Sequence, residues 1–160
     1  MSGSTATLHL ANPDRTCAVA QALAACLDPG DTILLSGQIG AGKSHFSRCL
    51  ILASLDTPED VPSPTYTLVQ SYPGRRGEIW HADLYRLGDI SELEELGLID
   101  AFSDAICLVE WPDKLGDAAP ASALSVTLEA PARDDTRIMH LSWTAPRWAD
   151  KLKGILDERP

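Results

Sequence analysis

The chain has 160 residues, 44% of them hydrophobic and 22% charged, a size and balance that fit one globular domain able to bury a core without disulfides or a structural metal. Thirteen Lys and Arg against 23 Asp and Glu give a net charge of −10 and a pI near 4.6. That charge argues against a stand-alone nucleic-acid binder, which needs clustered positive charge, and favours protein or basic partners.

Four cysteines, Cys17, Cys26, Cys49 and Cys107, are scattered without a CxxC pair, so buried reduced thiols are expected rather than zinc or redox chemistry. The first ten residues lack the positive and apolar regions of a leader, and no run approaches the roughly 18 apolar residues of a membrane span. A soluble, cytoplasmic chain without membrane contact is expected.

In chain order, Asn12-Pro13-Asp14 reads as a capped helix start, followed by Val19, Leu23, Cys26 and Leu27 at helical spacing. Asp28-Pro29-Gly30-Asp31 stops that helix. The apolar run 32–36 predicts a buried parallel strand, a glycine-rich loop follows at once, and 43–54 turns helical again, with Phe46 and Leu50 one turn apart. From 56 to 64 three prolines predict an irregular loop ending at Ser63-Pro64-Thr65. Alternating segments 66–72 and 79–85, joined through Pro73-Gly74-Arg75-Arg76-Gly77, predict a hairpin with His81 and Asp83 on one face. Ser91-Glu92-Leu93-Glu94 reads as a capping box opening a short helix up to about Gly97. A second buried strand is expected at 106–109, ended by Glu110-Trp111-Pro112. Leu124, Val126 and Leu128, then Met139, Leu141 and Trp143, alternate around a turn containing Pro131 and predict a C-terminal antiparallel hairpin. A final helix from about residue 146 carries Trp148, Leu152, Ile155 and Leu156 on one face. The whole chain, 1–160, is expected to form a single domain.

Gly37-Gln38-Ile39-Gly40-Ala41-Gly42-Lys43-Ser44 satisfies G-x-x-x-x-G-K-[ST] in full, between a predicted strand and a predicted helix, which is the setting of a phosphate loop. Its glycines let backbone amides turn toward phosphate oxygens, and the helix N-terminus adds unpaired N–H groups and a positive dipole end. Lys43 supplies a point charge to the β and γ phosphates, and the Ser44 hydroxyl is a ligand for Mg²⁺. Such a site needs a further carboxylate at the end of a neighbouring strand. Glu110 is the leading candidate, at the metal directly or through water, and Asp83 is the other. Thr65 could approach the γ-phosphate on a loop ordered by nucleotide. His45 could touch phosphate or stay exposed, His81 orients or packs, and Trp111 could stack on a base or pack in the core. The rival readings are a small-molecule or nucleoside kinase, with Arg75-Arg76 or the basic residues of 133–137 as lid, and a nucleotide-gated binding module with negligible hydrolysis. A GTPase is disfavoured because N-K-x-D is absent from the sequence.

Taken together, the 37–44 loop, Ser63-Pro64-Thr65, His81-Ala82-Asp83-Leu84-Tyr85-Arg86 and Val109-Glu110-Trp111-Pro112 resemble the TsaE family, the bacterial P-loop ATPases of tRNA threonylcarbamoyladenosine (t6A) biosynthesis. The resemblance spans about residues 8–143. The family's usual loop is closer to G-D-L-G-A-G-K-T-T, so Gln38, Ile39, Ser44 and His45 depart from it, while Ser44 keeps the metal-binding hydroxyl. The resemblance implies an α/β fold with a mixed central sheet flanked by helices, and slow hydrolysis of ATP to ADP with Mg²⁺. It also implies action in a complex with TsaD and TsaB, touching tRNA only through that complex. Lys43, Thr65, Asp83 and Glu110 would then be catalytic, residues 37–45 and Trp111 would hold the nucleotide, and Ser44 and Glu110 the metal.

Overall fold

The computed structural model describes residues 3–57, 59–62, 64, 67–132 and 134–157. The strands are β1 (Ser4–Leu10), β2 (Thr32–Gly37), β3 (Val69–Pro73), β4 (Glu78–Asp83), β5 (Ile106–Glu110), β6 (Leu124–Glu129) and β7 (Arg137–Trp143). The helices are α1 (Pro13–Ala24), α2 (Lys43–Ser54), α3 (Ser91–Leu96), α4 (Leu98–Asp104) and α5 (Arg147–Asp157), with a 3-10 segment at Pro112–Ala118. All seven strands join one sheet in the order β1-β7-β6-β2-β5-β4-β3. The inner four, β6, β2, β5 and β4, run parallel, whereas β1, β7 and β3 are antiparallel to their neighbours. The expected mixed sheet flanked by helices, with its C-terminal hairpin, is the observed fold.

Strand alternation divides the core into two clusters. Ile33, Leu35, Ile79, Ile106 and Leu108 pack with Phe46, Leu50 and Leu23 of α2 and α1, while Ala82, Cys107 and Val109 pack with Leu93, Leu98 and Ala101 of α3 and α4. Every residue of β5 is buried, as expected of a parallel strand covered on both faces. By the same parity His81, Asp83 and Glu110 point to the α2 side. Among the described residues no helix is long and apolar enough to cross a membrane.

The structure corrects three expectations. Cys17 and Cys49 form a disulfide, and only Cys26 and Cys107 are free. Packing of α1 along α2 brings residues 32 positions apart to a Cα separation of 5.3 Å, a proximity that sequence spacing does not display. By chain entropy, closing such a loop stabilises the fold by about 3–4 kcal/mol. The buried side of α1 is Thr16, Ala20, Leu23 and Ala24, and the helix ends before Cys26 and Leu27. The capping box also shifts by two residues. Ser91 already lies within α3, and the reciprocal bonds run from Ser91 N–H to Asp89 Oδ1 at 2.9 Å and from Asp89 N–H to Glu92 Oε1 at 3.2 Å. A carboxylate takes the hydroxyl's place, and hydrogen bonds from the Ser91 backbone and side chain hold the Asp89 carboxyl below its ordinary pKa.

Asn12 caps α1 as expected, its Oδ1 accepting from Arg15 N–H at 3.0 Å. The final helix does more than cover the core. Trp148 and Leu152 are fully buried, Trp148 Nε1 donates to Ser122 O at 2.7 Å, and Arg147 and Lys151 reach Asp31 at 2.7 and 2.6 Å.

Candidate functional site

The turn from β2 into α2 is set by backbone that only glycine adopts without strain. Gly37, Gly40 and Gly42 have φ of 146°, 86° and 103°, and a Cβ on Gly37 would stand 2.6 Å from Leu128 O of the neighbouring β6. Any other residue there would push the loop off the sheet. Ala41 N–H closes a tight turn on Gln38 O at 3.0 Å, and Phe46 N–H begins the α2 ladder on Gly42 O at 2.9 Å.

Lys43, buried to 6% exposure, folds back over this loop. Its Nζ donates to Gly37 O and, at 3.2 Å, to Gln38 O, and lies 4.1 Å from the centroid of the Trp111 ring. Burial pushes its ammonium pKa below the ordinary lysine value, while the charges of Glu110 and Asp83 pull the other way.

Those two carboxylates are side by side because Asp83 and Glu110 are register partners at the C-terminal ends of parallel β4 and β5. Ligands of open α/β sheets bind at this end. Glu110, 2% exposed, accepts at Oε2 from His81 Nε2 at 2.7 Å and from Ser47 Oγ at 3.4 Å. Its carboxylate is thereby oriented with Oε1 left for another donor or a cation. Asp83 Oδ1 accepts from Tyr85 N–H at 3.0 Å. His81 therefore orients Glu110, and its Nδ1 is buried without a partner among the described residues.

A cavity of about 360 Å³ opens over this end of the sheet, lined by Ile39, Gly40, Gly42, Lys43, Ser44, His45, Asp83, Tyr85, Glu110 and Trp111. Its volume lies within the range of small-molecule sites. Gly37, Gln38 and Ala41 frame the loop without lining it. His45 is half-buried rather than exposed; its Nε2 donates to Pro13 O at 3.0 Å and lies 3.8 Å from Cys49 Sγ. Trp111 reaches the cavity from a left-handed backbone, φ 58° and ψ 53°, and its ring packs 5.1 Å from that of Tyr85. Ser63, Thr65 and Arg133 lie outside the described residues. Arg75 and Arg76 precede β4 and so sit at the opposite end of the sheet from Asp83, where Arg76 bonds Leu27 O and Asp28 at 2.8 and 2.7 Å. Sequence reasoning missed Tyr85 and Ser47. The one signal for Ser47 was its place one helical turn beyond Lys43.

Among the described residues no group of three or more His, Cys, Asp or Glu could hold a metal alone. The hydroxyl of Ser44 and the carboxylate of Glu110 are hard oxygen donors that fit a Mg²⁺ whose remaining ligands are phosphate and water, and Asp83 stands beside Glu110 in register.

The family profile described as threonylcarbamoyl adenosine biosynthesis protein TsaE matches residues 10–139. The chain belongs to the TsaE family. TsaE relatives include that of Haemophilus influenzae, 40% identical over 110 residues and 68% of each chain. The TsaE protein of Bacillus subtilis is 34% identical over 128 residues and 79% of each chain. That of Mycobacterium tuberculosis is 35% identical over 150 residues and 88% of each chain. The crystal structure of Bacillus subtilis YdiB superposes with a TM-score of 0.77 at 25% identity, covering 97% of this chain and 96% of that one. The TsaE match takes in the phosphate loop, Asp83, Glu110, Trp111 and the start of β7.

Proposed function

We propose that this TsaE-family protein binds ATP with Mg²⁺ and hydrolyses it slowly to ADP and phosphate, in support of a t6A-forming complex with TsaD and TsaB. The single observation that carries the nucleotide reading is the convergence of Lys43, Ser44, Asp83 and Glu110 on one cavity at the C-terminal end of the parallel strands. Lys43 gives up its loop carbonyls and places its charge on the β and γ phosphates, while the N-terminus of α2 faces the same anion. Mg²⁺ supplies charge neutralisation across those phosphates when bound. Ser44 Oγ and Glu110 would hold it, Glu110 being aimed by His81 and Ser47, and Asp83 beside Glu110 would act through a water. Trp111 and Tyr85 offer ring faces to the rest of the nucleotide. Phosphoryl transfer to a metabolite has less support: the Arg75-Arg76 pair is at the wrong end of the sheet for a kinase lid, and Arg137 is turned toward the loop backbone.

Single-turnover hydrolysis, with and without TsaD and TsaB, tests this reading. Lys43→Ala should weaken ADP affinity at least tenfold by removing a charged hydrogen-bond donor. Glu110→Gln should fold and bind nucleotide yet lose most Mg²⁺-dependent hydrolysis, and Asp83→Asn should lose less. Wild-type ADP affinity in Lys43→Ala would overturn the nucleotide site, and wild-type hydrolysis in Glu110→Gln would move the metal role to another residue.

A further inference from the structure

Arg137, the first residue of β7, does not line the cavity, yet its guanidinium is committed to the phosphate loop from outside. Nε donates to Ala41 O at 3.0 Å and Nη2 reaches Gly40 O at 3.4 Å. On its other side, Nη1 donates to Asp134 O at 2.9 Å and Thr136 O at 2.7 Å. One planar fork thus gathers four backbone carbonyls, two from the loop and two from the turn that enters β7.

The two loop carbonyls bear on phosphate binding because a trans peptide points its C=O and N–H in opposite directions. Fixing Ala41 O toward Arg137 aims the Gly42 N–H away from it, on the side where Gly42 lines the cavity. Fixing Gly40 O holds the peptide whose N–H closes the Gln38–Ala41 turn. From inside, Lys43 takes the carbonyls of Gly37 and Gln38. When Lys43 turns to phosphate those inner bonds are released, and the Arg137 bonds remain to keep the loop in shape. The loop needs such a hold: its glycines occupy left-handed backbone, and Ile39 at its tip is 77% exposed.

We propose that Arg137 is the positioning residue of the phosphate loop, a clamp that pre-organises its amides for phosphate and places a fixed positive charge behind them in a chain of net charge −10. The proposal rests on the nucleotide reading of the site and adds to it a residue from the other end of the chain.

The test compares wild type with Arg137→Gln and Arg137→Lys, by calorimetry with ADP, by steady-state ATP hydrolysis and by thermal melting without nucleotide. Loss of the fork should raise the ADP Kd and the ATP KM about tenfold. The kcat at saturating ATP should change less than about twofold, because the clamp acts before chemistry. Arg137→Lys keeps the charge but not the planar fork and should fall between, about threefold weaker than wild type. If Arg137→Gln fails to fold, Arg137→Lys carries the test alone. Wild-type affinity in the folded variants, or a fall in kcat with KM unchanged, overturns the clamp. Failure of the wild type itself to bind ADP would overturn the nucleotide reading instead.

Discussion

Trp111 is held in a conformation that bulky residues avoid. A left-handed backbone outside glycine costs about 1–3 kcal/mol and persists only where its surroundings over-determine it. Here Trp111 N–H donates to Leu35 O at 3.3 Å, its carbonyl accepts from Lys114 N–H at 3.3 Å, and its ring is fixed between Lys43 and Tyr85. Because the Lys43 ammonium lies over the indole, moving that charge onto phosphate alters the ring's field. Adding ADP should therefore change tryptophan emission, and Trp111→Phe should remove most of that change, since Trp143 and Trp148 are buried elsewhere in the core and Trp80 packs on the α3–α4 cluster across the sheet. A full response in Trp111→Phe would reduce Trp111 to packing. Lys43, Ser44 and Glu110 were legible in the sequence because each sits at a fixed offset from a strand end or within a motif whose chemistry needs it. Arg137 was not legible as a loop contact, since 96 residues separate it from Ala41 and no local pattern announces such a bond.

At the scale of elements, α5 is fastened by charge as well as by Trp148. Lys151 Nζ bonds Asp28 at 2.9 Å, Asp31 at 2.6 Å and Cys26 O at 2.8 Å. Burial alone would lower the Lys151 pKa, but hydrogen bonds to Asp31 and Asp28 outweigh it and leave it raised above 10.5. The Lys151 bond in turn holds Asp28 below its ordinary 3.8. The Lys151 contribution is complete below pH 10.5 and is lost as pH rises through the raised value; that of Asp28 is present above pH 3.8 and is lost as pH falls through the lowered value. Lys151→Met should cost about 1–3 kcal/mol at pH 7, since Asp31 keeps Arg147 as a partner. It should also weaken the acid dependence of thermal stability below about pH 4. An unchanged melting curve at both pH values would show that packing alone anchors α5. The apolar runs of β2 and β5, the Asn12 cap of α1 and the period of α5 could be read directly, because each carries a local signal. β1 was overlooked although Ala6, Leu8 and Leu10 alternate with Thr7 and His9 and face the core, a signal carried by only three apolar residues. Nor was α4 legible, since its seven residues are shorter than two helical turns. The Cys17–Cys49 bond depends on how two helices pack, which periodicity does not encode.

Across the whole molecule, the parallel inner strands bring their C-terminal ends to one edge, so a loop from β2, an aspartate from β4 and a glutamate from β5 meet although the sequence separates them. The antiparallel strands at each flank extend the sheet, and β7 returns Arg137 to the first crossover. A chain of net charge −10 repels a polyanion on average, which favours reaching tRNA through partner proteins rather than gripping it alone. The most direct measurement mixes the protein with TsaD, TsaB, tRNA and threonylcarbamoyl-adenylate, and counts modified tRNA per complex over time. Repeated turnover is expected only with this protein and hydrolysable ATP present, and Lys43→Ala should fail to support it. Turnover indifferent to the protein, or efficient phosphorylation of a metabolite by the protein alone, would contradict the account.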